Sequence, residues 1–212
     1  MHVALLGDST FDNAAYVSPD LDVAMQLRAY LGERWQLSLL AKDGSVLDEV
    51  AGQVRHMMAL SHRVTHLVVS SGGNDLLGLL GGLQLPVTSV LEALDQLEVW
   101  QSDFRDKYRC MLDAVLAAQL PTFVCTVYDR VPGLSAGTRC ALAIFNDIII
   151  AEAMARTVPV IDLRAICTEP ADYARSSPIE PSEAGGKKIA QALARVLLRH
   201  PENPSRGARI YF

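Results

Sequence analysis

Ser9 stands directly after Gly7 and Asp8, where a short apolar run ends, and Thr10, Phe11, Asp12 and Asn13 follow at once. A lone glycine, Gly44, sits in a second polar turn, Lys42 to Ser45. A third turn reads Ser71-Gly72-Gly73-Asn74-Asp75, and a carboxylate, Glu180, lies late in the chain within Ser177-Pro178-Ile179-Glu180-Pro181. A hydroxyl, a side-chain amide, two glycine-flanked turns and a carboxylate are parts from which acyl transfer is built, provided one place collects them.

Alternating strands and helices would provide that place. Apolar runs of strand length cover 2–7, 35–41, 64–70, 121–127 and 159–162. Helical patterns fall between them at 21–31, 46–61, 88–118 and 136–156, the third with room for one break, and a last helix spans 183–198. Pro19-Asp20 and Gly32 punctuate the first helix. Strands alternating with helices predict a parallel sheet covered on both faces, a three-layer α/β/α sandwich. Five strands suggest the flavodoxin-like order 2-1-3-4-5, and ligands in such sheets bind outside the carboxyl ends of the strands. Every residue singled out above follows a strand, as do Tyr128, Asp129, Arg130 and Arg164, so the fold would gather them on one rim. One domain over 1–199 is expected, with 200–212 as an arm or wrap-around tail.

Composition narrows the partners. The chain has 212 residues, half of them hydrophobic, which suits an ordinary globular domain. A net charge of −5 with no basic cluster argues against nucleic acid. Four cysteines (Cys110, Cys125, Cys140 and Cys167) form no C-x-x-C pair; all sit in apolar surroundings, read as small buried hydrophobes in a reducing compartment. The N-terminus has no basic n-region and its apolar run is too short for a signal peptide. No stretch reaches the ~18 apolar residues of a membrane span. A cytoplasmic location is expected. His62 and His66 have the i, i+4 spacing of metal ligands, but His66 falls in a strand and no third ligand is near, so no metal and no cofactor is expected.

Nucleotide motifs fail on inspection. The first turn has one glycine where a dinucleotide site needs G-x-G-x-x-G, and Gly185-Gly186-Lys187-Lys188 has neither the spacing nor the preceding strand of a phosphate loop. The elbow G-x-S-x-G is absent too, because Phe11 stands where its last glycine would be. Gly7-Asp8-Ser9, Gly44 and Gly-Gly-Asn-Asp at 72–75 instead resemble the first three blocks of the SGNH hydrolases, also called GDSL-type esterases and lipases. Pro181-Ser182, the glycines at 185–186 and Ile189-Ala190 resemble the continuation of the fourth block. The resemblance reaches to about residue 199. It implies that Ser9 is a nucleophile attacking a small acyl ester to give an acyl-enzyme. It also implies three oxyanion donors: the backbone N–H of Ser9, the backbone N–H of Gly44 and the side-chain amide of Asn74.

The fourth block departs from the family pattern. D-x-x-H would supply a histidine base and an aspartate to orient it; here Glu180 and Ser177 take those positions. An ordinary glutamate has a pKa near ~4.3, and partial burial among Pro178, Ile179 and Pro181 would have to raise it toward ~6–7 for a base at neutral pH. Glu180 as base stands beside Glu180 as a structural acid at the positive end of the last helix. Ser177 either orients Glu180 or is plain loop. Asp8, Asp12 and Asn13 read as turn braces, and Asp75 as a helix cap or brace. His200 on a folded-back tail is a remote candidate base, Arg206 and Arg209 are candidate anion contacts, and the apolar residues 76–85 form either a flap over an acyl pocket or core. A binding protein that lost the proton relay, and an acyltransferase or lyase using the same pocket, are the alternatives to an esterase.

Overall fold

The computed structural model describes residues 1–60, 62–200 and 209–212. Every residue of β1 (His2–Gly7) is buried, because the strand has covered faces on both sides. Val3 and Leu5 point into one core, which includes Leu27, Leu193 and Leu197. Ala4 and Leu6 point into the other, with Val54, Leu112 and Ile149. The period-two alternation of a strand thus divides one apolar run between two layers.

The remaining strands are β2 (Gln36–Leu39), β3 (His66–Ser70), β4 (Thr122–Cys125), β5 (Val160–Ile161) and β6 (Ile210–Tyr211). They form one sheet in the order β2-β1-β3-β4-β5-β6, with all pairings parallel. The first five places match the expected order. The sixth is an addition: the chain end lies beside β5, where Val160 N–H donates to Arg209 O and Asp162 N–H to Tyr211 O, both at 2.8 Å.

α1 (Val23–Leu31) and α7 (Glu183–Arg199) pack against each other on one face, and α2 (Val50–Met58), α4 (Val90–Leu116) and α5 (Ala136–Ala155) cover the other. Two short helices, α3 (Gly73–Gly78) and α6 (Leu163–Ile166), follow β3 and β5. Caps explain several boundaries. Asp22, rather than Asp20, accepts the Met25 N–H to start α1, and Ser182 accepts the Gly185 N–H to start α7.

Other details depart from the sequence expectations. α4 runs unbroken for 27 residues, since Phe104, Tyr108, Met111, Leu112 and Val115 keep one stripe buried along its second half. The helix expected over 46–61 opens as a 3₁₀ turn (Leu47–Glu49) and its α-helical part ends at Met58; Ser61 lies outside the described residues. Cys125 and Cys167 are buried, but Cys110 and Cys140 are exposed, on solvent-facing positions of α4 and α5. Among the described residues, no helix is long and apolar enough to cross a membrane.

Candidate active site

Gly7 ends β1 at φ +118°, and a Cβ there would fall 1.7 Å from the Ser70 carbonyl oxygen. Only glycine allows β1 and β3 to meet so closely at this height, and the chain then turns sharply to put Asp8 and Ser9 at the carboxyl edge of the sheet. Asp8 N–H donates to Ser70 O at 3.0 Å. The Asp8 carboxylate accepts the Thr10 N–H at 3.0 Å, and its backbone oxygen accepts the N–H groups of Phe11 and Asp12. These bonds brace the turn at Asp8. Burial pushes its carboxyl up to about 6, against the downward pull of the Thr10 bonds, and negative Asp75 adds to the rise.

The Gly44 turn is held from three sides. Asp12 accepts the Asp43 N–H at 2.9 Å. Asp75 accepts the Leu47 N–H at 3.0 Å, as a brace rather than a cap, since Gly72 occupies the cap of α3. The Asn74 amide donates to Ser45 O at 2.9 Å. Gly44 itself has φ +78°, a conformation that suits glycine. Among the described residues, no acceptor takes its N–H or that of Ser9. The bond to Ser45 uses one of the two Asn74 amide hydrogens and leaves the other free.

Glu180 lies at Ser9. It is only 3% exposed, and it lines the same cleft as Ser9, near enough for the Ser9 hydroxyl to favour its charged form. Its Oε2 has no partner among the described residues. Burial pushes the carboxyl up from 4.5 to about 7; the Ser9 hydroxyl opposes that shift, and negative Asp43 and Asp8 reinforce it. Three successive carbonyls fix this stretch of chain. Ile179 O accepts from the Tyr128 hydroxyl at 2.5 Å, Glu180 O from Ala174 N–H at 2.8 Å, and Pro181 O from the Asn13 amide at 3.0 Å. Asn13 also accepts the Val23 N–H at 2.9 Å, so one fully buried side chain ties the first loop, α1 and the Glu180 loop together.

Ser177 enters differently from its expected role. Its backbone oxygen accepts the Glu180 N–H at 2.9 Å, and among the described residues its hydroxyl makes no hydrogen bond to the carboxylate. One contributor carried no sequence signal, and another only its place after a strand. Gln53 of α2 exchanges bonds with both backbone groups of Gly7 and donates to the Ser45 hydroxyl. Tyr128 follows β4 and was only one of several polar residues past a strand end.

Asp8, Ser9, Asn74, Tyr128 and Glu180 line one cleft, whose remaining lining is mostly apolar and includes Leu76, Leu77, Leu79, Leu80, Leu83, Trp100, Val131, Leu142 and Phe145. Of the residues 76–85, five leucines thus line the pocket. No histidine is among the lining residues. His200 lies at the other end of the sheet, where its backbone oxygen meets His66 at 3.1 Å and its ring meets Tyr211 at 2.7 Å. His66 is buried beside Thr65, and His62 is exposed. Arg209 flanks β6, and Arg206 lies outside the described residues.

The sequence profile of the GDSL-like Lipase/Acylhydrolase family matches residues 5–188, and the chain belongs to that family. No curated protein sequence matches it. In fold it is similar to a member of the lipolytic G-D-S-L family from Veillonella parvula DSM 2008, with TM-score 0.70 at 14% identity, over 94% of this chain and 99% of that one. It is likewise similar to the acetyl xylan esterase AlAXEase, with TM-score 0.69 at 13% identity over 93% and 100% of the two chains. A carbohydrate acetylesterase from Sinorhizobium meliloti gives TM-score 0.67 at 12% identity over 93% and 98%.

Proposed function

We propose that the protein is a serine hydrolase of small acyl esters in which Glu180 replaces the usual histidine as general base. The observation that carries this reading is the buried Glu180 carboxylate lining one cleft with Ser9, with its Oε2 free of partners among the described residues. The esterase names of the fold neighbours support ester hydrolysis as the reaction class.

In the forward step Ser9 Oγ attacks the ester carbonyl while its proton passes to Glu180. The negative charge that develops on the carbonyl oxygen is met by the N–H groups of Ser9 and Gly44 and by the free amide hydrogen of Asn74. Glu180 then gives its proton to the departing alkoxide, which leaves as the alcohol and frees the acyl-enzyme. Water repeats the cycle: Glu180 takes its proton, hydroxide adds to the acyl carbon, and the proton returns to Ser9 as the acid leaves. A carboxyl near 7 is suited to this exchange at neutral pH, because it is both a competent acceptor and a competent donor. The free cysteines fit a reducing compartment, and we place the enzyme in the cytoplasm.

A fluorophosphonate probe tests the nucleophile. Peptide mass spectrometry should find the label on Ser9, with none in Ser9→Ala. A label elsewhere, or none on the native protein, would contradict the assignment and leave a binding protein as the better description.

A further inference from the structure

We infer that the acyl group of the substrate is a straight aliphatic chain of medium length, rather than acetyl, seated in the leucine-lined cleft beside Ser9. The inference rests on the serine-hydrolase reading for its chemistry, but the cleft can be tested without it. An acetyl group needs little more than the space at the oxyanion donors. Here Ser9 shares its cleft with a lining of which Leu76, Leu80, Leu83, Leu142 and Phe145 are part.

Trp100, which also lines the cleft, lies against the Gly82 backbone, where any Cβ would meet the indole at 2.6 Å. The 3₁₀ turn and the indole are thus fitted to each other, which gives that wall a fixed shape. Beyond the carboxyls of Asp8 and Glu180, the lining carries no charged side chain. A cation, phosphate or sugar held deep in the cleft would have few partners, whereas an alkyl chain would exchange water for apolar wall at every methylene.

The expected consequence is a rise in kcat/KM along acetyl, butyryl, hexanoyl and octanoyl nitrophenyl esters. The rise should be about three- to fourfold per methylene while the chain stays within the cleft. Leu142→Trp, which puts a larger side chain into the apolar lining, should cut kcat/KM for the octanoyl ester at least tenfold and for the acetyl ester far less. Calorimetric titration of Ser9→Ala with octanamide and acetamide reads the cleft without turnover. Both ligands are neutral, so the carboxyls do not repel them. Octanamide should bind with a negative heat-capacity change, at least tenfold more tightly than acetamide, and lose that advantage in the Leu142→Trp background.

Hydrolysis that is fastest on the acetyl ester would overturn the inference and leave the hydrolase reading intact. Octanamide binding without hydrolysis of any ester would uphold the cleft and overturn the chemistry. Equal or absent binding of the two amides would overturn the inference, whatever the esters show.

Discussion

In the proposed mechanism Ser9, Glu180 and Asn74 carry the chemistry, and loss of each has its own expected outcome. Glu180→Ala should lower turnover by the ~10²–10⁴ of a lost general base, and Glu180→Gln nearly as much, because an amide cannot take the proton. Asn74→Ala should cost ~10²–10³ in kcat with KM less affected, since in the proposed mechanism its free hydrogen meets the oxyanion rather than the ground-state ester; initial-rate kinetics on a nitrophenyl ester separate the two parameters. Ser9 and Asn74 were legible because a hydroxyl and an amide follow glycines at strand ends. The burial of Glu180 was legible only as a requirement. Its neighbours in sequence are prolines and an isoleucine, but the residues that exclude water from it, Tyr128 and the Asp8–Ser9 turn, arrive from distant parts of the chain.

At the scale of elements, the site depends on loops held by single side chains. Tyr128 and Asn13 position the Glu180 loop through Ile179 O and Pro181 O. Tyr128→Phe leaves a carbonyl without its donor, a loss of about 1–3 kcal/mol if the site stays dry. A loosened loop would admit water to Glu180 and bring its carboxyl down from about 7 toward 4.5. The variant should therefore show lower kcat and an acid limb displaced to lower pH, whereas a purely structural tyrosine would leave the limb in place. The Asn13–Pro181 contact spans 168 residues, which is why sequence showed a loop polar group but not what it holds. β6 was hidden for a related reason. It is two residues long and follows a stretch rich in proline and charge, so only its pairing with β5 makes it a strand.

For the molecule as a whole, the site has a cost in stability. Between pH 4.5 and about 7 the native protein keeps a proton on Glu180 that the unfolded chain releases. Stability therefore falls as pH rises through that window, and the full penalty persists above it. Glu180→Gln removes the penalty. Thermal melts should place the variant above the native protein at pH 8 and close to it near pH 4. Asp8, raised to about 6, leaves both proteins with a residual decline in the same direction. Equal melting temperatures at pH 8 would mean that Glu180 is better solvated than its burial implies. The three-layer architecture was the most legible feature, because strand runs and helical stripes are local patterns. Depth of burial is set by contacts across layers, and pH-dependent stability depends on that depth.

The pH dependence of kcat/KM for a hydrolysed nitrophenyl ester tests the central claim most directly, because it reads the protonation of the free enzyme's base. Rate should rise with pH through an apparent pKa of about 7, the value at which Glu180 becomes ionised, and Glu180→Gln should abolish that rise along with most of the activity. A rate independent of pH between 5 and 8, or a Glu180→Gln variant with native activity and the same profile, would show that Ser9 is not activated by Glu180.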